Sequence, residues 1–190
     1  GRSYVELIRN LPPLVLIFLL YYFISDQIVP GLGLGAWIET LPGPVQRLTN
    51  LLFAPPSLLS PFLAGLITLA VFEGAYIAEI VRAGIRSVER GQWEAAYALG
   101  LTRAQTLRQV VLPQALRRIL PPLAGQFIST VKDSAIVSVI SVQELTFQGM
   151  ELMAATYLTF EVWITITLLY FVLTFGVSLG VRRLENAWRY

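Results

Sequence analysis

Apolar residues along this chain gather into long unbroken stretches instead of alternating with polar ones. Crossing a hydrocarbon core about 30 Å thick takes about 20 mostly apolar residues of helix. Four stretches meet that demand: residues 11–29 (LPPLVLIFLLYYFISDQIV), 58–80 (LLSPFLAGLITLAVFEGAYIAEI), 114–131 (QALRRILPPLAGQFISTV) and 162–181 (VWITITLLYFVLTFGVSLGV). The third is the least uniform, with Pro121 and Pro122 inside it, and the fourth is uncharged until Arg182 and Arg183 stop it. Four such runs in one short chain disfavour a water-soluble domain. They predict an all-α transmembrane fold, one structural unit over residues 1–190.

Between the second and third stretches the pattern changes. Residues 82–113 are polar and basic, and their punctuation predicts two short helices. Trp93, Ala96, Tyr97 and Gly100 fall at helical spacing. Gly100 stands where a helix C-terminus takes a left-handed residue. Thr102 and Gln105 have the spacing of a capping box, so Thr102 opens a second helix. That helix carries Leu107, Val110 and Val111, and Pro113 is expected to end or kink it. A basic helix–Gly–helix of this kind has two physical readings: it rests on anionic lipid headgroups, or it docks into a groove on a partner protein.

Composition agrees with the spans. Mean hydropathy is +0.65 and only 14% of residues are charged, where an ordinary soluble domain has about 25%. The chain has no Cys and no His, which removes thiol chemistry, the usual zinc sites and His-based acid–base catalysis. No catalytic residue and no metal ligand set is expected. Charge placement orients the spans, because cytoplasmic connections carry excess Lys and Arg. Residues 82–118 hold Arg82, Arg86, Arg90, Arg103, Arg108, Arg117 and Arg118. Arg2 and Arg9 mark one end, and Arg182, Arg183 and Arg189 the other. Residues 30–57 hold only Arg47, and residues 134–161 hold no basic residue but Glu144, Glu151 and Glu161. Both ends and the central connection are therefore expected in the cytoplasm. The Gly- and Pro-rich outer connection is expected to be irregular with short helical pieces, with Trp37 and Phe53 at the interface.

Glu94-Ala95-Ala96, Gly100, Val110 and Leu112-Pro113 have the spacing of the EAA motif of bacterial ABC importer membrane subunits, with Val110 where the motif usually has Ile. Val5–Asn10, Gly74–Glu79 with Val81–Gly84, Lys132–Ser134, Ile136–Ile140 and Glu144-Leu145 extend the similarity. Together they resemble the polar amino acid uptake permeases, over most of the chain apart from residues 30–57. The resemblance implies the core of a five-span type I importer permease without its first span, that span having been removed or being encoded elsewhere. It implies a bacterial inner-membrane protein that forms half of a pathway with a second copy or a sister permease. An extracytoplasmic amino-acid-binding protein and a cytoplasmic ATPase would be its partners, with no role for nucleic acid. ATP and Mg would be held by that ATPase, since the chain has no GxxxxGK[ST] phosphate loop. The resemblance assigns Glu94, Ala95, Ala96, Gly100, Leu112 and Pro113 to the docking loop.

Charges at membrane depth are expensive and signal function or pairing. An α-amino acid needs an acceptor for its ammonium and a donor for its carboxylate. Asp133 is a candidate acceptor, and Arg9 or a freed backbone N–H a candidate donor. Lys132-Asp133-Ser134 is expected to break the third span, as broken helices do at polar solute sites. The bland alternative places Lys132 and Asp133 at the outer interface or paired with each other. Glu73 is either a pathway residue or the partner of a neighbouring span, and Ser134 and Ser138 are candidate lining residues. Glu79 and Arg82 have the spacing of a local pair. Ala70, Gly74 and Ala78 recur every four residues and predict close helix packing. Rival readings are a permease for another small solute, a membrane-embedded enzyme and a helical scaffold.

Overall fold

The computed structural model describes residues 2–52 and 54–187, so Phe53 and Arg189 lie outside the described residues. A short amphipathic helix, α1 (Arg2–Arg9), buries Val5 and Ile8 and is followed by α2 (Pro13–Phe23), bent from it by 108°. The bend is local chemistry: Pro12 is extended (φ −62°, ψ 131°) and precedes a second proline, which disfavours helical backbone at that position. The coil widens to π winding over Ile24–Ile28 and continues into α3 (Val29–Leu32). Gly33, at φ +60°, turns the chain into α4 (Leu34–Glu39), and α5 (Gly43–Leu52) follows. The connection over residues 30–57 therefore holds the short helical pieces that its sequence predicts.

The long α6 (Leu59–Arg86) leads to α7 (Arg90–Ala98) and α8 (Arg103–Gln105). A π segment, Thr106–Val111, joins α8 to α9 (Leu112–Asp133), which tightens to 3-10 winding over Ser134–Ile140. The last helices are α10 (Leu145–Thr156) and α11 (Thr159–Ala187). Among the described residues there is no strand. Three helical runs are long and apolar enough to cross a membrane, and a fourth if α1 and α2 count as one bent span.

α6 is the centre of the bundle, packed against α1, α2 and α9. Ile17 and Ile24 meet Ala64, Val137 and Ile140 in one apolar cluster, while Val88, Val111, Ala115 and Ile119 form another at the opposite end of α6. Close approach needs small residues, and the critical ones are Gly65 and Gly84. A Cβ on Gly84 would lie 2.1 Å from Ile119 Cγ1, and one on Gly65 would lie 3.2 Å from Val137 Cγ1. The expected stripe serves this packing only in part. Gly74 admits Tyr4 of α1, whose hydroxyl donates to the Val71 carbonyl at 2.5 Å, whereas Ala70 is exposed.

Two sequence expectations need correction. Pro113 does not end the second loop helix, because Arg103–Ile140 is one helical run. The π turns before it relax the i→i−4 ladder that proline interrupts, with the Leu112 N–H reaching back to the Leu107 carbonyl. Nor is the third span broken at Lys132–Ser134. The Ser134 N–H still bonds the Thr130 and Lys132 carbonyls, and the helix merely narrows to 3-10 winding. α10 was not foreseen. Its N-terminus is capped by Glu144, which accepts from the N–H groups of Thr146 (2.9 Å) and Phe147 (2.8 Å) and from the Tyr170 hydroxyl of α11 (2.7 Å). At 12 residues it is about 18 Å long, too short to cross a bilayer.

Candidate functional site

A polar cavity of about 500 Å³ lies between α6 and α9, with Pro13 of α2 at its wall. Thr68, Phe72 and Tyr76 enter it from α6, and Gln126, Ser129 and Asp133 from α9. Their spacings, four and four on one helix and three and four on the other, set each trio on a single helix face. The two faces meet because α6 packs closely on α9 at Gly84 and on the 3-10 segment beyond it at Gly65. A volume of this size suits a small organic solute.

Lys132 also lines this cavity. Among the described residues the ion pairs are Arg2–Glu6, Arg82–Glu79 and Arg90–Glu94, so Lys132 and Asp133 are not paired with each other. An ammonium and a carboxylate, adjacent in sequence and both exposed, face one polar space. Glu73 lies behind them, only 4% exposed, and its Oε2 accepts a 2.6 Å hydrogen bond from the Gln126 amide. Its Oε1 is buried without a partner. An unmatched carboxylate oxygen in a low-dielectric interior is costly, so Glu73 holds Gln126 rigidly while remaining under-satisfied itself.

The candidate residues therefore divide. Asp133 lines the cavity, and Glu73 reaches its wall through Gln126. Arg9 lies in a separate concavity, with its guanidinium 5.4 Å from the Tyr76 ring centroid. The cation at the cavity is Lys132 instead. Ser134 donates to the Val131 carbonyl at 2.8 Å, and Ser138 is buried in the 3-10 segment beside Val137 and Ile140. Neither lines the cavity. Thr68, Tyr76, Gln126 and Ser129 were missed, although polar residues at helical spacing inside otherwise apolar spans were the available signal.

The second feature is the hairpin of α7 and α8. α7 ends in a Schellman motif: Gly100 has φ +78°, its N–H bonds the Tyr97 carbonyl (2.9 Å), and the Leu101 N–H bonds the Ala96 carbonyl (3.2 Å). The capping box closes with the Thr102 N–H to Gln105 Oε1 (2.9 Å) and the Gln105 N–H to Thr102 Oγ1 (3.4 Å). A polar contact fastens the hairpin to the bundle, and another joins α9 to the end of α6 at the hairpin's base. Gln114 of α9 donates to Gln92 of α7 at 3.0 Å, and Arg118 donates to the Ser87 carbonyl at the end of α6.

The apolar stripe of α7 splits between two surfaces. Trp93 joins the cluster of Val111 and Ala115, and Ala96 is 2% exposed, so both serve internal packing. Glu94, Ala95, Tyr97 and Gly100 remain exposed, as does Pro113, while Leu112 is half-buried. Leu99 is 81% exposed, a large apolar side chain at the tip that sequence reasoning passed over. Glu94 is paired locally with Arg90 at 2.9 Å.

Comparison with known proteins agrees with this architecture. The family described as "Binding-protein-dependent transport system inner membrane component" matches residues 1–190. The probable glutamine ABC transporter permease protein GlnM of Bacillus subtilis is 36% identical over 98% of this chain and 73% of its own length. The glutamine transport system permease protein GlnP of Escherichia coli K12 is 44% identical over 67% of this chain and 58% of its own. A solved structure titled "Crystal structure of an amino acid ABC transporter with histidines" superposes with a TM-score of 0.73 at 38% identity, covering 98% of this chain and 74% of that one. The helical bundle with its capped hairpin thus belongs to the binding-protein-dependent transport system inner membrane components, among the amino acid ABC permeases.

Proposed function

We propose that this permease passes polar amino acids through the cavity between α6 and α9 and is driven through the α7–α8 hairpin by a separate ATPase. The observation that carries the reading is the unpaired Lys132 and Asp133 on one polar cavity. Their charges complement an α-carboxylate and an α-ammonium, and Gln126, fixed by Glu73, offers further hydrogen bonds to a polar side chain. Glutamine is the first solute to test, since the similar permeases GlnM and GlnP are named for it.

On this reading Glu94, Ala95, Gly100 and Leu99 meet the ATPase, which holds ATP and Mg. Ala96 and Leu112 support that surface from beneath, and the exposed Pro113 borders it at the start of α9. The run Arg103–Ile140 is about 57 Å long, well beyond a hydrocarbon core of about 30 Å. One rigid element thus reaches from the hairpin to the cavity and transmits ATPase movement without an intervening hinge. The arginines of residues 82–118, with those near both ends, support a hairpin and chain ends on the cytoplasmic side. A second copy or sister permease completes the pathway, and an extracytoplasmic binding protein delivers the solute.

The test is reconstitution of the full complex in proteoliposomes with ATP enclosed. ATP-dependent accumulation of labelled glutamine, suppressed by unlabelled glutamine and unaffected by a sugar, is the expected result. Accumulation of no amino acid by an assembled, ATP-hydrolysing complex would remove the assignment.

A further inference from the structure

Where α1 crosses the end of α6, a second cavity of about 330 Å³ is lined by Arg2, Glu6, Arg9, Glu79, Arg82 and Arg86. Arg2 pairs with Glu6 (3.1 Å) and Arg82 with Glu79 (2.7 Å). Arg9 rests on the Tyr76 ring, and neither it nor Arg86 has a carboxylate within ion-pair distance among the described residues. The C-terminal dipole of α6 accounts for Arg86 alone. It does not account for the arginines that a separate helix brings to the same space. The lining thus sets four guanidiniums against two carboxylates, a net positive space, and guanidinium forks match phosphate oxygens in pairs.

The surroundings name the source of that phosphate. α1 is amphipathic and bent 108° from α2, so it lies across the end of a span, as interfacial helices do. Its Leu7 is 62% exposed, and Leu14 and Val15 at the start of α2 are exposed too, an apolar surface beside a basic cavity. Basic pockets between helices at the cytoplasmic surface suit anionic headgroups. We propose that this cavity holds the phosphate of an anionic phospholipid and so pins α1 to the membrane surface. The proposal rests on the membrane orientation given above.

The experiment is native mass spectrometry of the complete detergent-purified complex, exchanged with phosphatidylglycerol or with phosphatidylcholine. Wild type is expected to retain phosphatidylglycerol in preference to phosphatidylcholine. Arg86→Gln should lower that retention about fivefold, the effect of one arginine near an anionic lipid surface, and Arg86→Lys should restore part of it. Equilibrium dialysis with labelled inorganic phosphate separates the two sources of the anion. Equal retention of both lipids, undiminished retention in Arg86→Gln, or binding of inorganic phosphate without lipid retention would each overturn the proposal. Any of these with ATP-driven glutamine uptake intact removes the lipid site and leaves the transport reading standing.

Discussion

Gly100→Asp is expected to abolish solute-stimulated ATP hydrolysis while leaving the helical bundle folded. At φ +78° the position favours glycine, but nothing lies within 4 Å of a Cβ built there. Within the permease, therefore, the cost is backbone strain of about 1–2 kcal/mol, in a hairpin that the Gln114–Gln92 hydrogen bond also ties to the bundle. At the ATPase surface the cost is larger. A carboxylate buried in an interface without a partner costs several kcal/mol, enough to weaken docking by more than about a hundredfold. The negative end of α7 adds to the penalty. Gly100→Ala carries the strain without the charge and separates the two effects, so its stimulated hydrolysis should fall only a few fold. Measuring hydrolysis with and without solute-loaded binding protein checks both variants. Coupling that persists in Gly100→Asp would remove the hairpin from the mechanism.

The second large effect is expected at the cavity. Asp133→Ala should reduce solute uptake by roughly 10- to 100-fold, the equivalent of losing one charge-assisted hydrogen bond of about 1.5–3 kcal/mol. The side chain is exposed and makes none of the ion pairs among the described residues, so folding should be unaffected. Asp133→Asn keeps an acceptor without the charge and should fall in between. Uptake rates across solute concentration, read beside ATP hydrolysis, distinguish a lost solute contact from lost coupling. Unaltered uptake in Asp133→Ala would place the pathway elsewhere.

Much of the fold was legible because the bilayer forces it. A span must satisfy its backbone internally, so length and hydropathy alone mark helices. The hairpin was equally legible, since Gly100 and the Thr102–Gln105 box are local chemistry and need no tertiary information. What stayed hidden was tertiary. Whether Trp93 and Ala96 face outward or inward depends on where α9 lies, and a helical stripe looks the same from both sides. Pro113 and Lys132–Ser134 read as breaks by propensity. The helix instead absorbed one by π winding and the other by 3-10 winding.

The same reasoning explains the uneven outcome at the cavity. Asp133 was recognisable as a charge beside an apolar run, and it does line the cavity. Gln126 and Ser129 are neutral and drew no notice, although their spacing puts them on the face of Asp133. Arg9 lines a separate concavity, on the far side of the bend at Asn10–Pro12, a turn whose angle no local pattern dictates. The closest approach of α6 to another helix likewise falls at Gly84, outside the four-residue repeat of Ala70, Gly74 and Ala78.

The central claim is that the exposed tip of the hairpin meets the ATPase. The chain contains no cysteine, so a single introduced thiol can be addressed alone. With Leu99→Cys labelled by a photoreactive maleimide before the ATPase is added, illumination of the assembled membrane complex should yield a covalent adduct to the ATPase subunit. The same probe on Trp37→Cys, in the opposite connection, should give none. An adduct from position 37, or an ATPase untouched from position 99 in a complex that still hydrolyses ATP in response to solute, would contradict the account.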